Sequence, residues 1–504
     1  MAESQDDLTL VHGWLRTWRD PARSSQPALQ SASGALTYPQ LLERVAALAG
    51  GLRTHGIGRG ARVAIAMQRG IDQVLALLGV MAAGACPCPL EAGLSASETA
   101  RRLKVAGMGW AVFDEASADM LAECTLPATR RLAVASLTNA QPGWADDARP
   151  QDTGLLLFTS GSTALPKGVL LSHRALLNNA RGIIAHTKLG MDDVLLHVMP
   201  LYHTNGLNNQ LFAPLYAGAT VALGGRFRAA DMPGLMELHQ PTIITGVPTM
   251  YARMLDHQFS DKALQRLRFA RCGSAPITVQ LHERIEAHLG RPLVVSYGLS
   301  EATCTSTMNP PARRKIGSVG TVLAGQSVWL RSADDERKLG DGQEGEVCIA
   351  GPSLMEGYVG AGDLARTPKG RLDVLRTGDL GRFDEEGYLY ITGRLKDVII
   401  RGGENLSPAL IENVVAGCPG VAACCVVGAP DTDLGEVPVA FVVPRATGPA
   451  PDDAAIQQAV ADRLGRVYRP ARIVRVPQLP ENSVGKVDRK ALAAQLSQTA
   501  TNPA

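Results

Sequence analysis

Apolar residues recur along the chain in two periods, and the alternation between them predicts its architecture. Leu41, Leu42, Val45, Leu48, Ala49 and Leu52 stand at helical spacing. They follow Thr37-Tyr38-Pro39-Gln40, which reads as a capping box with proline in the first turn. Residues 63–67 form a short apolar strand pattern, and 74–83 a second helix. Residues 110–113 and 132–135 read as further strands. Strands alternating with helices predict parallel sheets covered by helices.

From 151 to about 395, apolar strands keep ending in polar, glycine-bearing turns. Leu155-Leu156-Leu157-Phe158 is followed by a loop and then by Ser172-His173-Arg174, which starts like a capped helix. Residues 194–198 lead to Met199-Pro200-Leu201-Tyr202-His203-Thr204-Asn205-Gly206. Residues 242–244 lead to Thr245-Gly246-Val247-Pro248-Thr249, and 267–272 to Gly273-Ser274-Ala275-Pro276. Residues 293–296 lead to Tyr297-Gly298-Leu299-Ser300-Glu301. Ligands of open α/β sheets bind outside the carboxyl ends of the strands, so these turns are expected to build one cleft. After Ile349 the pattern shortens, and Glu385-Glu386-Gly387-Tyr388 looks like a hairpin turn. Beyond it a smaller α+β unit is expected, with helices over 408–416 and 454–464, strands over 422–427 and 437–443, and a frayed tail after Gln495. The fold class is therefore α/β: a large N-terminal domain, 1–395, of helix-covered, mostly parallel sheets, followed by a small α+β domain, 396–504.

Composition adds limits. The chain has 504 residues, enough for about two to four domains. It is 45% hydrophobic and 19% charged, which suits a globular protein with a large core. A net charge of +2 leaves no electrostatic footprint for nucleic acid or an anionic membrane. The first residues are acidic and polar, without the pattern of a secretory signal. The apolar run from 74 to 90 is broken by Gly79, Gly84, Pro87 and Pro89, and falls short of the ~20 residues of a membrane span. Nine cysteines without paired C-x-x-C spacing read as reduced, mostly buried thiols, and the expected location is cytoplasmic.

The candidate chemistry centres on Thr159-Ser160-Gly161-Ser162-Thr163-Ala164-Leu165-Pro166-Lys167-Gly168. A strand, then a loop rich in Gly, Ser and Thr with one lysine, suits a polyphosphate. Backbone N–H groups converge on phosphate oxygens, hydroxyls add donors, and Lys167 adds positive charge. It is not a Walker loop, because no Gly-Lys-Ser or Gly-Lys-Thr ends it. Downstream stand, in order, Tyr297-Gly298-Leu299-Ser300-Glu301, Arg376-Thr377-Gly378-Asp379-Leu380, Gly393-Arg394-Leu395-Lys396-Asp397 and Asn482-Ser483-Val484-Gly485-Lys486.

With these motifs the chain resembles the adenylate-forming superfamily of acyl-CoA synthetases, peptide-synthetase adenylation domains and luciferases, from about residue 36 to 492. The resemblance implies an acid–CoA ligase with ATP, Mg²⁺ and coenzyme A as its small molecules. A carboxylate attacks the α-phosphorus of ATP, giving acyl-AMP and pyrophosphate; a thiol then displaces AMP. Such chemistry needs positioning and charge stabilisation. By resemblance, Thr159, Ser160, Gly161, Ser162, Thr163 and Lys167 hold the β- and γ-phosphates. Gly273, Ser274, Ala275, Tyr297, Gly298, Ser300, Asp379 and Arg394 line the nucleotide, with Tyr297 against adenine, Asp379 on the ribose hydroxyls and Arg394 on ribose or α-phosphate. Glu301 ligates Mg²⁺. Lys486 bridges the substrate carboxylate and the α-phosphate. Lys396 marks the pivot of a mobile small domain, whose other orientation presents Gly402, Gly403 and Glu404 for thioester formation. His203 matches the aromatic gate of the acyl site.

Three departures from the family pattern stand out: Ala164 in the phosphate loop where glycine is usual, Val322 where proline is common, and Leu410 where glutamate is common. The acyl pocket is expected to draw on the turns 203–209, 245–249, 271–276 and 298–304. Asn205, Asn208 and Asn209 place amides near its wall, which disfavours a long alkyl chain and favours a short, polar or aromatic acid. Arg271 shares strand parity with Phe269 and Gly273 and reads as a surface or structural arginine, with a second carboxylate of the substrate as the alternative. Two rival functions remain: an acyl-AMP ligase that loads a carrier-protein thiol, and a nucleotide-binding pseudoenzyme.

Overall fold

A computed structural model of the protein describes residues 8–138, 140–159, 167–332, 335–359, 373–446, 448–482 and 485–500, the last four by backbone only. A nine-stranded sheet forms its centre. Six of its strands are parallel neighbours, in the order Leu293–Tyr297, Phe269–Cys272, Ile243–Gly246, Val194–His197, Thr220–Leu223 and Pro27–Ser31. Antiparallel strands close both edges, Gly34–Thr37 at one and Thr307–Met308 with Thr321–Val322 at the other. Fully buried strands such as Ile243–Gly246 and Phe269–Cys272 expose neither face, as strands covered by helices must.

A second, all-parallel sheet holds Cys86–Pro89, Arg62–Ala66, Trp110–Phe113 and Arg131–Ala133. The predicted capping box opens the helix Tyr38–Thr54, where the Thr37 N–H donates to Gln40 Oε1 at 2.9 Å. Its apolar stripe, Leu41, Val45, Leu48, Ala49 and Leu52, is buried. Two smaller sheets are antiparallel. One pairs Thr153–Thr159, Lys167–Ser172 and Gly357–Val359. The other orders Ser327–Arg331, Glu344–Ala350, Leu375–Phe383 and Leu389–Arg394, the last two joined through the expected turn at Gly387.

The C-terminal sheet contains Glu404–Leu406, Ile399–Arg401, Gly435–Pro444, Val421–Asp431 and Arg472–Arg475. The helices Pro408–Ala416 and Asp453–Leu464 pack on it, and Arg489–Ala500 continues past Gln495, where fraying was expected. Gly402 and Gly403 have φ of 57° and 87° and make a two-residue hairpin turn that side-chain-bearing residues adopt only with strain. All nine cysteines are free thiols. Among the described residues no helix is long and apolar enough to cross a membrane.

Three imidazoles, His173 and His197 buried and His203 half-buried, tie stability to pH. Burial pushes His173 down to about 4, His197 to about 3 and His203 to about 4, with Arg69 adding to the effect at His197 and Lys486 at His203. Each is neutral when folded and regains its ordinary pKa, near 6.5, when unfolded. The unfolded chain therefore binds more protons between those values, and stability falls as pH drops below about 6.5. The expected slope is about 1.4 kcal/mol per pH unit for each imidazole. Urea midpoints measured from pH 7 to pH 5 check this; a flat series would contradict it.

Candidate functional site

The carboxyl ends of three strands of the central sheet open on one cleft with about 430 Å³ of empty space. Thr204, Asn205 and Asn209 line it after the strand Val194–His197. Gly273 and Ser274 line it after Phe269–Cys272, and Ser296 to Ser300 with Cys304 and Thr305 after Leu293–Tyr297. The remaining wall is Lys486, which comes from the C-terminal part of the chain.

Lys486 is held there by contacts between distant stretches of sequence. The Thr249 hydroxyl donates to the Gly485 carbonyl at 2.6 Å. Arg253, on the same short helix Pro248–Met254, pairs with both oxygens of Glu481 at 2.8 Å. Within the loop, the Lys486 N–H donates to Asn482 Oδ1 at 3.1 Å. Burial, and then the neighbouring Arg394, lower the Lys486 pKa; Cys304, Glu301 and Asp379 partly offset this. The ammonium thus sits in a cavity whose own charges do not fully compensate it, a setting that welcomes an incoming anion.

Two polar clusters flank Lys486. In the first, Asp379 is 2% exposed and opposes Arg394 across the antiparallel ladder. It accepts hydrogen bonds from the Arg394 guanidinium and, at 2.8 Å, from the Tyr297 hydroxyl. Burial and the adjacent carboxylate push the Tyr297 hydroxyl pKa far up, so it is a permanent donor. In the second, Glu301 accepts from the Tyr358 hydroxyl at 2.7 Å. The Lys167 ammonium lies 5.8 Å from the centre of the Tyr358 ring. Thr159 and Lys167 face each other across the ladder between Thr153–Thr159 and Lys167–Ser172, so they form the base of the glycine-rich loop. The residues above that base, including Ser160, Gly161, Ser162, Thr163 and the unusual Ala164, lie outside the described residues.

The stretch 203–209, expected as a turn, is instead the start of a π-helix, Asn205–Phe212. Such helices gather at functional sites because the wider turn redirects side chains. Here it sets Asn205 and Asn209 on the cleft, where the Asn209 amide donates to Asn205 Oδ1 at 3.0 Å and to Thr305 Oγ1 at 3.1 Å. Asn205 in turn donates to Ser274 Oγ at 3.3 Å. Asn208 departs from the expected position: it turns away from the cleft to donate to Asn179 Oδ1 at 2.8 Å. His203 packs against Tyr202 with ring centres 4.6 Å apart, and its buried Nε2 has no partner among the described residues.

Other expected residues sit apart from the cleft. Ala275 follows its rim. Lys396 is exposed in the short turn Leu395–Asp397, where the chain passes from the sheet of Leu389–Arg394 to that of Ile399–Arg401. Gly402, Gly403 and Glu404 form an exposed turn and do not line the cleft. The turn 245–249 supplies the Thr249 anchor rather than a wall. Arg271, read as a surface or structural residue, is 2% exposed and so not a surface one. Sequence reasoning missed Tyr358, Arg253 and Glu481, and placed Thr249 in a pocket turn without its anchoring role, because nothing local marks residues whose partners lie at least fifty positions away.

Fold and site together define an enzyme that joins an acid to a nucleotide before passing it on. Residues 18–359 match the family described as AMP-binding enzyme, and residues 410–486 match the AMP-binding enzyme C-terminal domain. The chain belongs to this family, in the acyl-CoA synthetase branch of the adenylate-forming superfamily, and is an AMP-forming acid–CoA ligase by class. It is 34% identical to a sulfoacetate–CoA ligase of Cupriavidus necator over 90% of this chain and 91% of that protein. It is also 34% identical to a feruloyl-CoA synthase of an Amycolatopsis species, over 91% of this chain and 94% of the other. Its fold resembles the ATP-bound crystal structure of MatB from Rhodopseudomonas palustris, with a TM-score of 0.87 and 28% identity over 97% of this chain and 99% of that one.

Proposed function

We propose that the enzyme activates a short, polar or aromatic carboxylic acid as acyl-AMP and transfers the acyl group to the thiol of coenzyme A. The observation that carries this reading is the seating of Lys486 in the cleft, beside Tyr297, Gly298 and Asn209. In the first half-reaction a carboxylate oxygen bonds to the α-phosphorus of ATP as pyrophosphate leaves. Two anions must approach, and the Lys486 ammonium offsets their repulsion. Arg394 adds charge on the nucleotide side, while Asp379 accepts hydrogen bonds from ribose hydroxyls. Thr159 and Lys167 hold the base of the loop that receives the β- and γ-phosphates. Glu301 suits Mg²⁺, since Tyr358 engages only Oε1 and leaves Oε2 for a hard cation. When bound, the ion would neutralise phosphate charge. His203, neutral and packed at a tilt against Tyr202, guards the acyl side.

In the second half-reaction the CoA sulfur bonds to the acyl carbon and AMP leaves. The chain divides at 395/396, and rotation about Lys396 exchanges Lys486 for the Gly402–Glu404 turn. The polar wall of Thr204, Asn205, Asn209, Ser274 and Thr305 supports a small or polar acid, because it offers a long alkyl chain little apolar surface to bury.

The test is a panel of short, polar, aromatic and long-chain acids with ATP and Mg²⁺, following pyrophosphate and then AMP with CoA. Pyrophosphate with short or aromatic acids, and CoA-dependent AMP, are expected. Turnover confined to long-chain acids, or none at all, would overturn the reading. The anchor of Lys486 gives a further expectation. Thr249→Val removes one hydrogen bond, worth about 1 kcal/mol, and should slow pyrophosphate formation roughly fivefold while leaving thioester formation from supplied acyl-AMP unchanged. Equal slowing of both steps would contradict it.

A further inference from the structure

Arg271 is an anomaly in the protein's electrostatics. It lies in the middle of the central sheet, in the fully buried strand Phe269–Cys272. Its guanidinium makes one long hydrogen bond, from Nη1 to the Asn209 carbonyl at 3.4 Å. Nε and Nη2 are buried and have no partner among the described residues. No described carboxylate pairs with it; the groups that favour its charge are Cys304 and Tyr251. Asp379, the buried carboxylate of the cleft, by contrast has Arg394 as its counter-charge. Arginine keeps its proton even here, for burial lowers its pKa only to about 10. A buried cation without a partner is costly to keep.

The position of that charge relates it to the substrate. Asn209, which accepts its one hydrogen bond, and Cys304, which favours its charge, both line the cleft. Gly273, two residues on along the strand, lines it as well. The guanidinium therefore stands behind the wall that Asn209 and Cys304 give the cleft, in surroundings where water does not screen its field.

Resting on the acid–CoA ligase reading, we propose that Arg271 is a specificity determinant and that the acid activated here carries a second anionic group, a carboxylate or a sulfonate. One carboxylate meets Lys486 and reacts. The second anion occupies the far end of the cleft, supplies the counter-charge that Arg271 lacks, and takes hydrogen bonds from Nη2 as the Asn209 or Cys304 side chain gives way. Cleft size and charge then select the same class of acid: short, with an anion at both ends.

The experiment compares matched acids with the full chain, ATP, Mg²⁺ and CoA. Malonate, succinate and sulfoacetate are set against propionate, butyrate and benzoate, in wild type, Arg271→Met and Arg271→Lys. The wild type should prefer a doubly anionic acid in kcat/KM. Malonate and succinate against sulfoacetate separate carboxylate from sulfonate recognition. In Arg271→Met this preference should collapse roughly 100-fold, while turnover of the singly anionic acids stays within a few-fold and so reports an intact fold. Arg271→Lys should keep part of the preference, since lysine supplies charge without the planar fork; if the Met variant fails to fold, the Lys variant and the wild-type preference decide. Wild-type turnover of singly anionic acids alone, or an unchanged preference in the variants, would overturn the inference yet leave the ligase reading standing. Turnover of no acid at all would remove both.

Discussion

Lys486→Ala should cut pyrophosphate formation by about a thousandfold and leave thioester formation from supplied acyl-AMP within a few-fold of wild type. Removing a single preorganised donor from a charged transition state costs about 100- to 1,000-fold in well-studied hydrolases. Here the lost group carries a full charge and faces two anions, so the upper end is expected. The partial burial that lowers the Lys486 pKa also strengthens its field on an arriving carboxylate. The second half-reaction has no such need, because acyl-AMP is already made and the nucleophile is a thiol. The check is a pair of half-reaction assays on one enzyme preparation. Equal loss in both would mean that Lys486 supports the fold or the nucleotide site generally, and that the two-orientation reading is wrong.

How far the sequence revealed this site follows from the range of the interactions involved. Lys486 was legible because its glycine-serine loop belongs to an ordered set of motifs. Asp379 and Arg394 were legible one by one, but not as a pair, because their pairing is a register across two strands that joins residues fifteen positions apart. The helix Tyr38–Thr54 could be read outright, since cap and stripe are local. The π-helix could not: its period differs from the helical pattern by about one residue per turn, and three asparagines within five positions imitate a polar loop. Whether Arg271 lies at the surface or in the interior was not legible for a related reason. Parity distinguishes two faces only when one is wet, and its strand is buried on both. The Tyr358–Glu301 and Thr249–Gly485 contacts span 57 and 236 positions and leave no local trace.

Gly298→Ala is expected to be the most damaging small substitution in the cleft, and it shows why fold and function are not separable here. Sequence reasoning assigned Gly298 to close approach by the nucleotide. The structure gives the residue a second demand. A Cβ at Gly298 would lie 1.9 Å from the Cys304 carbonyl oxygen and 2.8 Å from the Thr305 Cα. Both are backbone atoms, so no rotamer change relieves the clash, and residues 304–305 must move. Thr305 is bonded through its hydroxyl to Asn209 and through its carbonyl to Asn179 and Gln326. Displacing it therefore drags the acyl wall along with the strand Leu293–Tyr297. A loss of about 2 kcal/mol in stability, the usual scale of overpacking, should accompany a severe loss of pyrophosphate formation. Gly225→Ala is the control, since a Cβ there meets nothing within 4 Å, and it should stay within about 0.5 kcal/mol of wild type. Urea midpoints and pyrophosphate release on the same samples decide the matter: a Gly298→Ala enzyme with native stability would show that the 304–305 backbone yields freely, and that the wall it supports is softer than its hydrogen bonds imply.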